Sequence, residues 1–287
     1  MLRISEISFP GLGIGEFSVD SVAIPGRLEI AWYAIIIVIG MILAVAYTIF
    51  RAKQVGIGTD DILDYVLFVI PVGVLGARLY YVFTTIENYH SLKDVFNIRN
   101  GGLAIYGGIL AGAATVYIVS KIKKIPFLAL ADCVCPGLIL AQSIGRWGNF
   151  TNGEAFGGVT DIFCRMGLRN SLTGYELTYV HPTFLYESLW NILGFILINL
   201  FYKHRKYDGQ VFLLVFGWYG LGRMLIEGLR ADSLYTTIFG LTFRTSQVLA
   251  GLILILCITA LVYFQIKKPN KPLYFRESTI KVEKQEK

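Results

Sequence analysis

The chain has 287 residues, a formal net charge of +6, and 55% hydrophobic against 16% charged residues, with a mean hydropathy of +0.59. Soluble domains carry about 25% charged residues, so this composition excludes an ordinary soluble protein and points to a membrane protein. The excess charge does not imply nucleic-acid binding, because twelve of the thirteen lysines fall at Lys53, at Lys121, Lys123 and Lys124, at Lys203 and Lys206, and from Lys267 onward. Those are alternate loops, and the positive-inside rule makes them cytoplasmic; only Lys93 falls on the other side. The expected topology is an outer N-terminus, seven crossings and a cytoplasmic C-terminus.

Residues 1–27 are mixed in polarity, with Pro10, Gly11, Gly13, Gly15, Pro25 and Gly26, and lack the charged and apolar regions of a cleavable signal peptide. They read as an extracytoplasmic N-terminal arm. At 1.5 Å per residue about 20 apolar residues cross a ~30 Å hydrocarbon core. The first span is expected over Leu28–Phe50 and the second over Ile62–Thr84, the latter carrying Pro71, Gly73, Gly76 and Arg78. An outer loop, Ile86–Asn100, leads into Gly101-Gly102-Leu103-Ala104-Ile105-Tyr106-Gly107-Gly108, the entry to the third span. The fourth begins after Pro126 and is expected to end near Gly145, with Asp132 and Pro136 inside it. Residues 150–180 form the longest polar stretch, a small extracytoplasmic cap in which short strands fit. The fifth span runs from His181-Pro182-Thr183 to about Tyr202, the sixth over Gln210–Gly228 and the seventh over Thr245–Ile266. The fold class is therefore an all-α polytopic membrane protein. Its seven transmembrane helices and cap lie within 28–266, and 267–287 form a basic cytoplasmic tail.

The run from Gly145 to Gly157 places Arg146, Asn149, Asn152 and Glu154 among four glycines directly after an apolar segment. Such side chains are costly near hydrocarbon, and the glycines suggest backbone that bends or approaches a ligand closely. In the sixth span Tyr219, Arg223 and Glu227 are four apart and stack on one helix face, with Arg230 near it. An Arg223–Glu227 ion pair that hides both charges from lipid is the bland explanation. The sharper one starts from Arg146 and Arg223 standing at the same outer level, with no compensating pair of carboxylates at those spots. Guanidinium forks match phosphate geometry, and the abundant anion at that depth is a phospholipid head group. Glu154 and Glu227 would then balance or orient the arginines. His181 opens the fifth span, where a histidine more often caps or hydrogen-bonds than acts as a base. The four cysteines and three histidines have no metal-ligand spacing, and no H-E-x-x-H, Walker or G-x-S-x-G pattern occurs. No metal and no cofactor are expected.

The pattern Gly-Arg-x-Gly-Asn-Phe-x-Asn-x-Glu-x-x-Gly from Gly145 to Gly157 resembles the signature of bacterial prolipoprotein diacylglyceryl transferases. Thr151 stands where that family usually has an aliphatic or aromatic residue. Further matching elements follow the same order: Trp32-Tyr33, Gly76-Ala77-Arg78, the Gly-Gly-x-x-x-Tyr-Gly-Gly element, Asp132, His181-Pro182-Thr183-x-x-Tyr-Glu, and Tyr219-x-x-x-Arg223-x-x-x-Glu227-x-x-Arg230. The resemblance covers about 30–265. It implies a multi-pass enzyme of the bacterial plasma membrane, with phosphatidylglycerol and prolipoprotein signal peptides bearing a lipobox cysteine as partners. The sn-1,2-diacylglyceryl group would pass to the cysteine thiol, forming a thioether and releasing glycerol phosphate. It also implies catalytic roles for Arg146, Arg223, Glu154, Tyr106 and Glu227, and substrate binding by Arg146, Asn149, Tyr33, Tyr219, His181 and Gly157. Many members carry histidine where this chain has Tyr106, and an ordinary tyrosine, with a pKa near ~10, is a poor base at neutral pH. Either Tyr106 only positions the head group, or Glu154, Glu227 or His181 takes the thiol proton, or no dedicated base exists. Two other classes compete: a transporter with Arg78, Asp132, Arg223 and Glu227 along an ion path, and a non-catalytic scaffold.

Overall fold

The structure is a computed structural model that describes residues 4–26, 29–89, 91–97, 101–233, 235–238, 241–267 and 273–274. Leu28, where the first span was expected to begin, and most of the 267–287 tail lie outside the described residues. The elements in chain order are β1 (Ile4–Phe9), β2 (Ile14–Asp20), β3 (Val22–Ile24), β4 (Ile30–Ala31), α1 (Trp32–Gln54), α2 (Thr59–Thr84), α3 (Leu92–Phe96) and α4 (Ile105–Lys123). They continue with α5 (Phe127–Asn152), β5 (Met166–Arg169), β6 (Thr178–Val180), α6 (Thr183–Tyr202), α7 (Gln210–Glu227), β7 (Tyr235–Ile238), β8 (Leu241–Arg244) and α8 (Thr245–Lys267). The chain groups into two compact units. The first takes the described residues up to Tyr47 and from Val134 through the end of α8, and the second takes Thr48–Cys133.

Among the described residues six helices are long and apolar enough to cross a membrane: α1, α2, α4, α5, α6 and α8. The α7 helix forms where the sixth span was expected but is not among them. Gln210, Arg223 and Glu227 lower its hydropathy. A second difference concerns the N-terminal arm and the cap, which build one antiparallel sheet in the order β2-β1-β5-β6. Its register places Ile7 opposite Phe17 on one side and opposite Leu168 on the other. Ile7, Phe9, Met166, Leu168, Val180 and Phe184 form its buried core, with Phe150 and Phe156 packed against them. Ser5, on the same face of β1 as Ile7, and Ser8, on the opposite face, are also buried, and a Cβ at Gly153 would run into the Ser5 hydroxyl and one at Gly167 into that of Ser8. Fully buried Asn170 ties β1 to the end of α5, donating to Gly153 O at 2.9 Å and to Ser5 Oγ at 3.2 Å.

The α5 helix does not stop near Gly145 but runs on to Asn152, so the first half of the glycine-rich motif is helical. Gly145 and Gly148 are contact points for α1 instead of bends. A Cβ at Gly145 would come within 3.3 Å of Ile37 Cδ1, and one at Gly148 would collide with the Tyr33 ring. The turn comes at Gly153, whose φ of 61° lies in the left-handed region that favours glycine. Trp147 and Phe150 on the last turns of α5 meet Phe184 at the start of α6, with ring centroids 5.4 and 4.8 Å apart. This aromatic layer joins the sheet to the two helix ends that carry Arg146 and Glu187.

In the second unit α2 and α4 pack backbone to backbone: a Cβ at Gly76 would sit 2.8 Å from Gly107 O. Helix packing of the small-xxx-small kind thus explains Gly107. Arg78, buried on α2, donates all of its guanidinium N–H groups to carbonyls of the outer loop. Nε reaches Val95 O at 2.7 Å, Nη1 reaches Gly101 O and Gly102 O at 2.7 and 2.9 Å, and Nη2 reaches Asp94 O and Asn97 O at 2.8 and 3.0 Å. Three of those acceptors are carbonyls at the end of the five-residue α3, which a helix that short cannot satisfy itself. Arg78 is a fastener of the loop, not a step on an ion path.

Candidate active site

The register of α6 against α7 is set by two tryptophans. Trp190 and Trp218 stack with centroids 4.4 Å apart and planes 19° from parallel, and each indole N–H donates to the other residue's carbonyl, at 3.1 and 3.0 Å. Each ring also fills the space over a glycine of the other helix: Trp190 lies on Gly222, and Trp218 on Gly194. Each glycine stands four residues beyond the tryptophan of its own helix, so the clasp is reciprocal. A side chain at either glycine would push the helices apart. Glu187, three residues before Trp190, and Arg223, next to Gly222, are thereby brought face to face.

Glu187 is buried, and three guanidinium groups converge on it. Arg146 Nη2 lies 2.5 Å from Oε2, while Arg223 Nη1 and Arg230 Nη1 each lie 3.4 Å from Oε1. Arg223 Nη2 is also 2.8 Å from Glu227 Oε2, an ion pair without an aligned hydrogen bond. Glu227 is 2% exposed. Arg230 makes a fork to Asp232, Nε to Oδ1 at 2.9 Å and Nη2 to Oδ2 at 2.8 Å. Partial burial pushes the Asp232 carboxyl up, but the hydrogen bonds and charge of Arg230 outweigh it and hold the group below the ordinary carboxylate value. Three arginines therefore face three carboxylates.

The expectation of arginines without compensating carboxylates is overturned by Glu187 and Glu227. Three half-buried cations brought together at these helix ends would repel one another without them, and a charge withdrawn from water needs a partner. The bland reading of an Arg223–Glu227 pair holds as far as it goes. It does not account for Glu187, whose single carboxylate occupies the point where arginines from α5, α7 and the segment after α7 meet. A place for one oxyanion among three guanidinium groups is built into these helix ends.

The loop after α5 stitches this arrangement together. Gly157 N donates to His181 O at 2.9 Å, His181 N to Gly158 O at 3.1 Å, and Gly158 N to Leu229 O at 2.8 Å. A Cβ at Gly157 would lie 2.6 Å from His181 Cβ and 2.8 Å from Leu229 O, so only glycine lets the three strands of chain meet. Fully buried Thr183 donates to Ala155 O at 2.5 Å, holding Ala155 at a φ of 55° that non-glycine residues rarely adopt. At the far end of α7, Arg244 donates to Glu227 O and Gln247 to Met224 O, the latter at 2.9 Å, satisfying carbonyls the helix leaves open.

A family model described as prolipoprotein diacylglyceryl transferase matches residues 21–263, which include every residue of this cluster. The chain belongs to the prolipoprotein diacylglyceryl transferase family. Three relatives illustrate the likeness. The phosphatidylglycerol–prolipoprotein diacylglyceryl transferase of Clostridioides difficile (strain 630) is 46% identical over 244 residues, 85% of this chain and 94% of the relative. The transferase 1 of Clostridium perfringens (strain 13 / Type A) is 45% identical over 256 residues, covering 87% and 96%. The transferase of Streptococcus pneumoniae serotype 4 is 45% identical over 263 residues, covering 90% and 98%.

Of the residues that the prolipoprotein diacylglyceryl transferase pattern singles out, Arg146, Arg223 and Glu227 meet in the cluster. Asn149 joins its edge, accepting from Arg146 Nη1 at 3.4 Å. Glu154 touches neither Arg146 nor Arg223 among the described residues. It accepts from Asn149 at 3.2 Å and Asn152 at 3.0 Å, and so orients Asn149. Tyr33 packs on Gly148, and Tyr219 stands one turn before Arg223 on the same helix face. His181 and Gly157 serve the loop stitching, and His181 Nδ1 lies 3.3 Å from the Tyr186 hydroxyl. Tyr106 belongs to the second unit, in the first turn of α4, with 47% of its surface exposed. Sequence reasoning passed over Glu187 as a site residue. Its signal was available: it is the sole carboxylate of the apolar α6 run, and a lone acid inside such a helix is a functional flag.

Proposed function

We propose that this chain transfers the diacylglyceryl group of phosphatidylglycerol to the cysteine thiol of a prolipoprotein, the first step of lipoprotein maturation. Family membership over most of the chain supports the reaction, and the observation that carries the site is the convergence of Arg146, Arg223 and Arg230 on Glu187. In the displacement a C–S bond forms at the glyceryl carbon while its C–O bond to phosphate breaks. The bond pair leaves with glycerol phosphate, and the thiol proton passes to a base. The dominant demand is stabilisation of the departing phosphate, which fixed guanidinium groups in a low-dielectric site supply. Arg146 and Arg223 hold that phosphate, Arg230 completes the set, and Glu187 and Glu227 keep the three cations in place between turnovers. Asn149, oriented by Glu154, extends the donor set. Tyr33 and Tyr219 line the site.

The N-terminus and the sheet lie outside the cytoplasm in this reading, the lysine-rich loops lie inside, and α7 makes the seventh crossing with its charges turned away from lipid. The acceptor is a signal peptide with a lipobox cysteine. Purified protein incubated with acyl-labelled phosphatidylglycerol and a lipobox peptide should yield diacylglyceryl-peptide and glycerol phosphate. Release of glycerol phosphate without labelled peptide would instead mark a lipid hydrolase.

A further inference from the structure

A second reciprocal crossing, between α5 and α6, complements the tryptophan clasp between α6 and α7. It is made by two serines, Ser143 and Ser188, which are 2% and 1% exposed. Each hydroxyl donates to the other residue's backbone carbonyl, Ser143 Oγ to Ser188 O at 3.1 Å and Ser188 Oγ to Ser143 O at 3.0 Å. The two hydroxyl oxygens are 3.1 Å apart. A helical serine ordinarily turns its hydroxyl back to a carbonyl of its own helix, one turn earlier. Here both cross to the neighbouring helix, so the two backbones are tied at one point. Trp147 Nε1 donates to Ser188 Oγ at 3.2 Å and fills an acceptor position of that hydroxyl.

The place of this crossing gives it a part in the chemistry. Ser188 directly follows Glu187, and Ser143 lies three residues before Arg146, less than one turn away. The tie therefore sits within about 5 Å, along each helix axis, of the two residues it brings together. Their contact, Arg146 Nη2 to Glu187 Oε2 at 2.5 Å, is the shortest of those that Glu187 makes with the three arginines. Trp147 directly follows Arg146, so the chain on both sides of Arg146 is fastened to the residue after Glu187. Hydrogen bonds between membrane helices usually act as glue, and each is individually weak. Glue serves anywhere along a helix pair. Three bonds gathered on the neighbours of one ion pair fix where its side chains stand.

We propose that Ser188, with Ser143 and Trp147, is a positioning residue for the transfer reaction and acts through Arg146, holding its guanidinium where the phosphate departs. The proposal rests on the function proposed above and adds the residues that set one of its arginines. Charge on the departing phosphate grows in the transition state, so a guanidinium that slackens by a fraction of an ångström costs rate more than lipid affinity.

The test measures kcat and both KM values with phosphatidylglycerol and one lipobox peptide. Ser188→Ala removes the donor to the residue-143 carbonyl and leaves Trp147 Nε1 unpaired. It should lower kcat about tenfold, with KM for lipid and peptide within about twofold of wild type. In an Arg146→Ala background the same substitution should change the residual rate by less than about twofold, because the group it acts through is gone. Ser143→Ala keeps the carbonyl to which Ser188 donates, and should cost about threefold in wild type and nothing measurable beside Arg146→Ala. Ser120→Ala on α4 breaks a comparable buried bond between helices, the Tyr65 and Ser120 hydroxyls 2.9 Å apart, and should leave transfer unchanged. Equal losses from Ser188→Ala in the two backgrounds would reduce the crossing to packing and overturn the proposal. A tenfold loss in Ser120→Ala, or an unaltered kcat in Ser188→Ala, overturns it as well. If Ser188→Ala does not fold, Ser143→Ala in the two backgrounds decides by the same criterion. Wild-type protein that transfers nothing from phosphatidylglycerol would sink the function reading and the proposal with it, a different failure from serine variants that lose no rate.

Discussion

Arg78 in the second unit and the Arg146–Arg223–Arg230 cluster in the first are both sets of guanidinium groups embedded in apolar helices, and they are solvated in opposite ways. Arg78 has every donor filled by a backbone carbonyl at 2.7–3.0 Å. Those acceptors are fixed by the chain, and none can leave without unravelling the outer loop. The cluster arginines share side-chain carboxylates, and their contacts to Glu187 stretch to 3.4 Å for two of the three. Side-chain partners can swing away, and donors held at that distance can be retaken by a better-placed oxyanion. An arginine withdrawn from water is thus a structural rivet when backbone carbonyls complete its fork, and a binding group when side-chain carboxylates do.

Replacing one arginine from each set separates the two roles. Arg146→Ala and Arg223→Ala should each lower transfer by roughly 10²–10³, the usual cost of deleting a transition-state oxyanion donor, while the protein stays folded in detergent. A variant of either kind that retains wild-type turnover would leave the comparison without its functional half. Arg78→Ala should do the reverse. Five orphaned carbonyls cost on the order of 3 kcal/mol, seen as a lower Tm and early proteolytic cleavage between Glu87 and Gly102. Arg78→Lys should not restore them, since an ammonium lacks the five-donor fork.

Smaller effects sharpen the picture. Tyr106→Phe should keep activity within about threefold, because loss of one hydroxyl removes a single hydrogen bond and no essential base. A loss beyond a hundredfold would make its proton part of the chemistry. The smallest effect concerns Asp232, whose carboxyl titrates below the usual 3.8 because of Arg230. A depressed pKa contributes stability above the unfolded value, lost as pH falls through the folded one. With the side chain 52% exposed, the contribution is about 0.5 kcal/mol or less. Stability measured from about pH 5 down to pH 2 should therefore fall slightly more in wild type than in Asp232→Asn, whose side chain does not titrate.

Much of this was legible in the chain because it depends on local spacing. The four-residue repeat of Tyr219, Arg223 and Glu227 predicts one helix face, and the apolar runs locate the helices to within a few residues except at the end of α5, which runs past Gly145 to Asn152. What was not legible depends on partners far away in sequence. Gly145 and Gly148 read equally well as bends or as landing places for a neighbouring helix, and only Ile37 and Tyr33 decide between them. The arm at Ile4–Phe9 alternates apolar and polar residues only from Glu6 to Phe9, and its partner β5 begins at Met166, a pairing that no local pattern announces. Glu187 was hidden by its setting, since its role exists only once Arg146, Arg223 and Arg230 arrive from other segments.

The central claim is that Arg146 and Arg223 act on one phosphate. A double-mutant cycle on kcat/KM for phosphatidylglycerol, using Arg146→Ala, Arg223→Ala and the pair, measures this directly. Two groups gripping one oxyanion should couple by about 1–3 kcal/mol, so that the double variant is only modestly worse than either single one. Losses that multiply, with no coupling between the two sites, would mean that the arginines serve separate ends and would contradict the account.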